Sequence, residues 1–255
     1  MDNTVQIKNK MNRLNLSGMA DLYDHRMEQA MDEKWAYSTF LEMLLTDALE
    51  CKNNKQLTLR LAKSHLDVTK TLETFDFKRK DFIVPISLIR EISLCGFIEK
   101  KQNIFLFGKS GLGKSHIAQS IGLQACRQGY DVFFRCTKQL MDWIYAGAVD
   151  GTRNKRRSQV IKTSLLIMDD FGLQELNEEQ QNDLYQIIAE RYEKKSIIIT
   201  TNRDISEWAD IFTHPLVASA AVDRLVHRGI RVVLDGPSHR LAEYKKQCDI
   251  SSKSK

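Results

Sequence analysis

Before Gly96 the chain is poor in Pro and Gly, and its apolar positions recur at helical spacing. Helices are expected over Val5 to Leu14 and Met19 to Met31. A third is expected from Phe40, running past Leu57 towards His65, with Leu41, Leu44, Leu45 and Ala48 on helical spacing. Thr39 and Glu42 have the spacing of a capping box at its start. Near Glu73 the pattern changes: Thr74-Phe75-Asp76-Phe77 is a short aromatic segment, and Pro85 follows. The module boundary is placed here, giving residues 1–75 and 76–255.

After Gln102 short apolar runs alternate with amphipathic stretches. Strands are expected at Ile104–Phe107, Asp131–Arg135, Leu165–Met168, Ile197–Thr201 and Ile230–Leu234. Helices are expected at Gly113–Arg127, Lys138–Ala148 and Glu178–Lys194, the last capped by Asn177. Such alternation implies an α/β domain, a parallel sheet with helices on both faces, preceded here by a small all-helical module.

Composition changes this picture little. The 255 residues carry 38 Lys+Arg against 33 Asp+Glu, which permits a polyanionic partner without requiring one. The polar N-terminus lacks a secretory h-region, and no apolar run approaches the ~18 residues needed to cross a bilayer. Cys51, Cys95, Cys126, Cys136 and Cys248 lack CxxC spacing and read as reduced thiols, not as a zinc site. No membrane association is expected, and the cytoplasm is the consistent compartment.

Candidate chemistry is concentrated in three strand ends. Gly108-Lys109-Ser110-Gly111-Leu112-Gly113-Lys114-Ser115 fits GxxxxGK[ST], between an expected strand and an expected helix. Glycines let successive backbone N–H groups point at phosphate oxygens, and the helix N-terminus adds a favourable dipole. Lys114 is expected on the β- and γ-phosphates of ATP, and the Ser115 hydroxyl on Mg²⁺. His116 follows on the surface of the same helix. Leu165-Leu166-Ile167-Met168 ends in Asp169 and Asp170. Asp169 has the position of the Mg²⁺ carboxylate, and Asp170 that of the residue orienting the attacking water. The third run, Ser196 to Asn202, offers Asn202, or else Thr201, as a γ-phosphate contact.

Arg224 has the chemistry of an arginine finger presented to a neighbouring subunit, or it forms a surface pair with Asp223. Arg240 is a candidate second phosphate sensor. Two basic clusters are candidates for DNA backbone contact: Arg153, Lys155, Arg156 and Arg157, and Lys52, Lys55, Arg60 and Lys63. Either is equally readable as a solvated face. Trp35, Tyr37 and Phe40 read as core, whereas Trp143 and Tyr145 leave both core and base-stacking readings open.

Taken together, the P-loop, Leu165 to Gly172, Ile188-Ala-Glu-Arg-Tyr192, Ile199 to Asn202 and Val222 to His227 resemble the IstB transposition helper ATPases. That family is related to the DnaC-type helicase loaders within the AAA+ superfamily. The resemblance extends over nearly the whole chain. It implies an AAA+ ATPase domain that hydrolyses ATP with Mg²⁺ and forms a homo-oligomer. It also implies binding of double-stranded DNA without sequence preference and recruitment of an IstA-type transposase. The family's functional positions match Lys114, Ser115, Asp169 and Asp170, and Asn202, Arg224 and Arg240 follow. Asp170 departs from the commoner Glu, which points to slow or partner-stimulated hydrolysis. A DnaC-like helicase loader, a small-molecule P-loop kinase and a non-hydrolysing DNA-coating scaffold are the alternatives.

Overall fold

A computed structural model describes residues 3–241 and 244. The chain divides into two compact units, Met1–Leu59 and Arg60–Lys255. The division falls inside a long helix, about sixteen residues before the compositional change at residues 73–75.

The first unit holds α1 (Asn3–Arg13), α2 (Ser17–Asp32) and the larger part of α3 (Tyr37–Ser64). Met19, Tyr23 and Leu44 form its buried centre, with Ile7, Met11, Met27 and Phe40 packed around them. At Gly18 the two longer helices approach so closely that a Cβ would lie 2.5 Å from Cys51 Cβ and 2.7 Å from the Asp47 carbonyl. Arg26 donates two 2.8 Å hydrogen bonds to the carboxylate of Asp47, which is buried and held below the usual aspartate range by that guanidinium. Two expectations fail here. Thr39 lies inside α3 and caps nothing, because the helix starts at Tyr37. Tyr37 is 95% exposed instead of in the core. Leu41 and Leu45 are exposed, whereas Leu44 one step away is buried.

The second unit contains α4 (Ile86–Ser93), α5 (Gly96–Glu99), β1 (Ile104–Phe107), α6 (Lys114–Arg127), β2 (Val132–Cys136), α7 (Thr137–Ala146) and α8 (Arg153–Lys162). They are followed by β3 (Leu165–Asp169), α9 (Glu178–Arg191), β4 (Ser196–Thr201), a 3₁₀ turn (Ile205–Ile211), α10 (Pro215–Val226) and β5 (Ile230–Val233). All strands are parallel, in the order β2-β3-β4-β1-β5. Parallel pairing buries both faces, and β1, β3 and β4 have no exposed position. Alternate residues divide between the faces. Phe105, Phe107, Phe133, Leu166, Met168, Ile197 and Ile199 join residues of α7, α9 and α10 in one core. On the other face α6 lies so close that a Cβ on Gly122 would meet Ile167 Cδ1 at 2.8 Å.

The expected strands and helices of this unit are present, with ends shifted by one to three residues. The Asn177 cap of α9 is a full capping box with Gln180. The sequence reading did not include α4, α5, α8, the 3₁₀ turn or α10. Helix α8 buries only Val160, so it has no apolar stripe to recognise. Its C-terminus is instead gripped by Arg191, a fully buried side chain. Arg191 donates to the carbonyls of Val160 at 2.8 Å, Thr163 at 2.9 Å and Ser196 at 2.5 Å. Trp208 of the 3₁₀ turn is also fully buried, with its ring centroid 5.2 Å from Phe105 and 5.1 Å from Phe171.

Cys95 and Cys126 are buried free thiols, each pushed up to about 11 by burial. Cys51 and Cys136 are partly buried and free, and Cys248 lies outside the described residues. Among the described residues no helix is long and apolar enough to cross a membrane.

Candidate nucleotide site

The strand order places β1 between β4 and β5, so the chain must cross over β4 and β3 to continue at β2. Ligands of open α/β sheets bind beyond the carboxyl ends of the strands at such a switch point. The P-loop leaves β1 here. Gly108 has φ +147°, and a Cβ on it would lie 2.4 Å from the Leu234 carbonyl. Gly113, at the N-cap of α6, has φ +98°, and a Cβ would collide with the Phe75 ring at 2.4 Å. Both positions combine a left-handed backbone with a contact that leaves no room for a side chain, so glycine is required there.

A cavity of about 460 Å³ opens at this point. Ser110, Gly111, Gly113, Lys114, Ser115 and His116 line it from the P-loop side. Asp170, Asn202 and Arg240 line it from later parts of the chain, and Thr74, Phe75 and Arg79 from the segment before α4. Five P-loop positions, His116, the second aspartate, the strand-end asparagine and Arg240 are therefore brought together around one cavity. Gly108, Lys109 and Leu112 shape the loop without lining the cavity: Leu112 is fully buried, and Lys109 faces solvent.

Lys114 is buried, and its Nζ donates to the carbonyls of Gly108 at 2.7 Å and Lys109 at 3.0 Å. Burial pulls its ammonium below the ordinary lysine range, opposed by the attraction of Asp170 and Asp169. The Asp170 carboxyl is shifted the other way, raised first by burial and then by Asp169, and opposed by Lys114 and Arg240.

Asp169 closes β3 with its carbonyl accepting from Thr137 Oγ1 at 2.9 Å and its Oδ1 accepting a short hydrogen bond from Thr200 Oγ1. The same Thr200 oxygen accepts the Asp170 N–H at 3.0 Å. Asp170 has φ +52°, a left-handed conformation that Asp tolerates better than most residues. One buried hydroxyl on β4 thus holds the Asp169 carboxylate and the backbone amide of Asp170. Sequence reasoning missed Thr200 and named Thr201 instead, whose Oγ1 donates to the Phe171 carbonyl at 2.9 Å and does not line the cavity. The available signal was a polar residue inside an apolar strand, in register with buried Leu106.

The oxygen donors present suit Mg²⁺, which takes few protein ligands and keeps the rest of its octahedron for phosphate and water. Among the described residues the Ser115 hydroxyl and Asp169 Oδ2 have no protein partner, and each remains available as a ligand.

The remaining candidates lie elsewhere. Arg224, on α10, donates to the Ala220 carbonyl at 3.0 Å and to Tyr185 Oη at 3.4 Å, and does not line the cavity of its own chain. It makes no pair with Asp223 among the described residues. His116 is held by the Thr71 carbonyl at 2.8 Å and by the edge of Phe75. In the first basic cluster, Arg153 pairs with Glu179 and Asp183, Arg157 with Asp183, and Arg156 with Asp150. Asp183 is 1% exposed, so two of these guanidiniums serve as its counterions, and Lys155 alone of the four is unpaired. In the second cluster Lys55 donates to Ser17 Oγ at 2.7 Å and Arg60 lies 4.0 Å from Asp131, while Lys52 and Lys63 are exposed.

This parallel sheet, the glycine-built loop at its switch point and the paired strand-end carboxylates define an AAA+ P-loop ATP-binding domain joined to a helical N-terminal module. Known proteins narrow the class. The family model described as IstB-like ATP binding protein matches residues 9–247, and the chain belongs to that family. It is 34% identical over 235 residues to the ATP-binding protein of insertion sequence IS5376 from Geobacillus stearothermophilus, covering 92% of this chain and 93% of that protein. It is 29% identical over 236 residues to the ATP-binding protein of IS21 from Pseudomonas aeruginosa, covering 92% of this chain and 89% of that one. Among solved structures, the replication initiator DnaA bound to AMPPCP and single-stranded DNA matches with a TM-score of 0.57 at 24% identity, over 73% of this chain and 56% of that one. DnaI matches with a TM-score of 0.57 at 16% identity, over 68% of this chain and 96% of that one. These two share the fold.

Proposed function

We propose that this chain is an ATP-hydrolysing helper of insertion-sequence transposition, which assembles on duplex DNA and recruits its transposase. The observation that carries the ATP-dependent part is the convergence of Lys114, Ser115, Asp170 and Asn202 on one cavity, with Asp169 and Asp170 held by the single hydroxyl of Thr200. Membership of a family whose relatives belong to insertion sequences supports the transposition part.

In this reading the P-loop amides and Lys114 bind the triphosphate, and Ser115 and Asp169 hold Mg²⁺. Held there by Ser115 and Asp169, Mg²⁺ would supply positive charge that offsets the negative charge developing on the phosphates. Asp170 accepts a hydrogen bond from the attacking water and orients it, and Asn202 contacts the γ-phosphate. Aspartate is one methylene shorter than glutamate, so its water must approach closer, and turnover without a partner is slow. Arg224 is turned away from its own cavity and serves the nucleotide of a neighbouring copy, while Arg240 serves its own. Assembly on DNA then couples the bound polymer to hydrolysis.

Release of labelled phosphate, measured with and without random-sequence duplex, tests this. Duplex is expected to stimulate turnover, and Arg224→Ala to assemble normally while losing on the order of 10³-fold in stimulated turnover. Turnover indifferent to DNA and to Arg224 would overturn the assembly-coupled mechanism.

A further inference from the structure

The paired arginines of α8 leave one guanidinium of this region without a counterion. Arg135 is the fourth residue of β2, the edge strand of the sheet. Its guanidinium lies 4.9 Å from the Trp143 ring centroid and 5.6 Å from that of Phe133. Those two rings are themselves stacked, at 5.7 Å and 29°. Arg156 lies 5.5 Å from the same Trp143 ring and donates to the Trp143 carbonyl at 2.7 Å. At the end of α3, exposed His65 meets the edge of Phe133 at 5.1 Å.

The difference between the two arginines is decisive. Arg156 has the Asp150 carboxylate, at 2.9 Å. Arg135 is half-buried, yet it makes no hydrogen bond and no ion pair among the described residues. All its N–H donors are uncommitted among the described residues, while two aromatic faces restrict where the guanidinium sits. The two ring faces stabilise the half-buried cation but use none of its N–H donors, which no anion of this chain engages among the described residues. A preformed planar fork of this kind matches the geometry of a phosphate and loses little side-chain entropy on engaging one.

We infer that Arg135, packed against Trp143, is a contact to the phosphate backbone of duplex DNA, a role the sequence had suggested for Arg153, Lys155, Arg156 and Arg157. The inference rests on the reading of the chain as a duplex-binding helper and adds the residue that carries part of that binding. Arg135 makes the contact, and Trp143 is a positioning residue. Backbone contact implies no base preference, so the effect of removing it is uniform across sequences.

The test is fluorescence anisotropy of labelled random-sequence duplexes with ATP at several KCl concentrations, for the wild type, Arg135→Gln, Trp143→Phe and Trp143→Ala. Affinity for a fluorescent ATP analogue and thermal midpoints report whether each variant is folded. Arg135→Gln is expected to weaken duplex binding about 5- to 10-fold and to reduce the salt slope by about one, equally for every sequence. Trp143→Phe keeps an aromatic face and retains most of the affinity, whereas Trp143→Ala weakens binding with little change in the slope. A wild type that binds duplex, with an Arg135→Gln variant of unchanged affinity and slope, overturns this inference alone. A wild type that does not bind duplex overturns the helper reading, and this contact with it. Unchanged duplex binding with weakened capture of an acidic protein reassigns Arg135 to a protein interface and likewise overturns the contact.

Discussion

The Thr200 hydroxyl donates to Asp169 and accepts from the Asp170 amide, so the Asp169 carboxylate and the Asp170 backbone both depend on one buried oxygen of a neighbouring strand. The aspartates were legible from sequence because an apolar run ending in two carboxylates is a local signal with few packing explanations. Thr200 was not, because its role is set by the pairing of β3 with β4, which no local window contains. Asp170 carries a further consequence. Its folded form binds a proton more tightly than the ordinary aspartate value of 3.8. Its contribution to stability is therefore present at low pH and is lost as pH rises from that value through the raised one, leaving near neutrality an exposed carboxylate that is only partly desolvated beside Asp169. Asn fits the same left-handed backbone. We predict that Asp170→Asn loses about 10²-fold in turnover, yet melts no lower than the wild type at pH 7, with a gain that solvent screening of this exposed carboxylate holds to about 1 °C and that closes near pH 4. In the wild type the acid limb of kcat/KM, which reports the free protein, should lie above the ordinary aspartate range. A variant that melts below the wild type at pH 7 would contradict the electrostatic part of this argument.

Among the elements, those with a repeating apolar signal were readable, namely the five strands and helices α6, α7 and α9. The capping box at Thr39 failed because two residues at the right spacing do not fix where a helix starts when it can extend back to Tyr37. Helix α8 lacked a signal because what holds it is a side chain thirty residues downstream in sequence. Arg191 closes the C-terminal carbonyls of α8 and reaches Ser196 at the start of β4, with no carboxylate partner. Replacing it by Met keeps apolar volume but removes the side-chain donor from the Thr163 and Ser196 carbonyls, while the Val160 carbonyl keeps its 2.8 Å bond from Thr163 Oγ1. Each such group costs about 1–3 kcal/mol, so Arg191→Met is expected to destabilise the domain by about 3 kcal/mol or more in urea unfolding. Arg191→Lys should recover little of this, since one ammonium cannot span the same carbonyls. A loss below about 0.5 kcal/mol would show that these hydrogen bonds are not what secures α8.

For the whole molecule, composition placed the boundary where the aromatic segment begins, and compactness places it at Leu59–Arg60. The intervening residues belong with the nucleotide unit through bonds that composition does not reveal. Gln119 of α6 accepts the Asp67 N–H at 2.9 Å, and Ser120 donates to the Lys70 carbonyl at 3.0 Å. Phe75 then covers Gly113 and lines the cavity. The α/β class, the parallel sheet and the P-loop followed from the sequence, because each has its own periodicity or motif. The attachment of residues 66–75 depends on contacts some fifty positions away in sequence.

All of this rests on a triphosphate being held by the P-loop amides and the Lys114 ammonium. Titration of a fluorescent ATP analogue in Mg²⁺, with wild type and Lys114→Ala compared side by side, measures that grip directly. The account predicts saturable binding by the wild type and a loss of about 100-fold or more in the variant, with its melting temperature preserved. A folded Lys114→Ala protein that binds within about 2-fold of the wild type would contradict it.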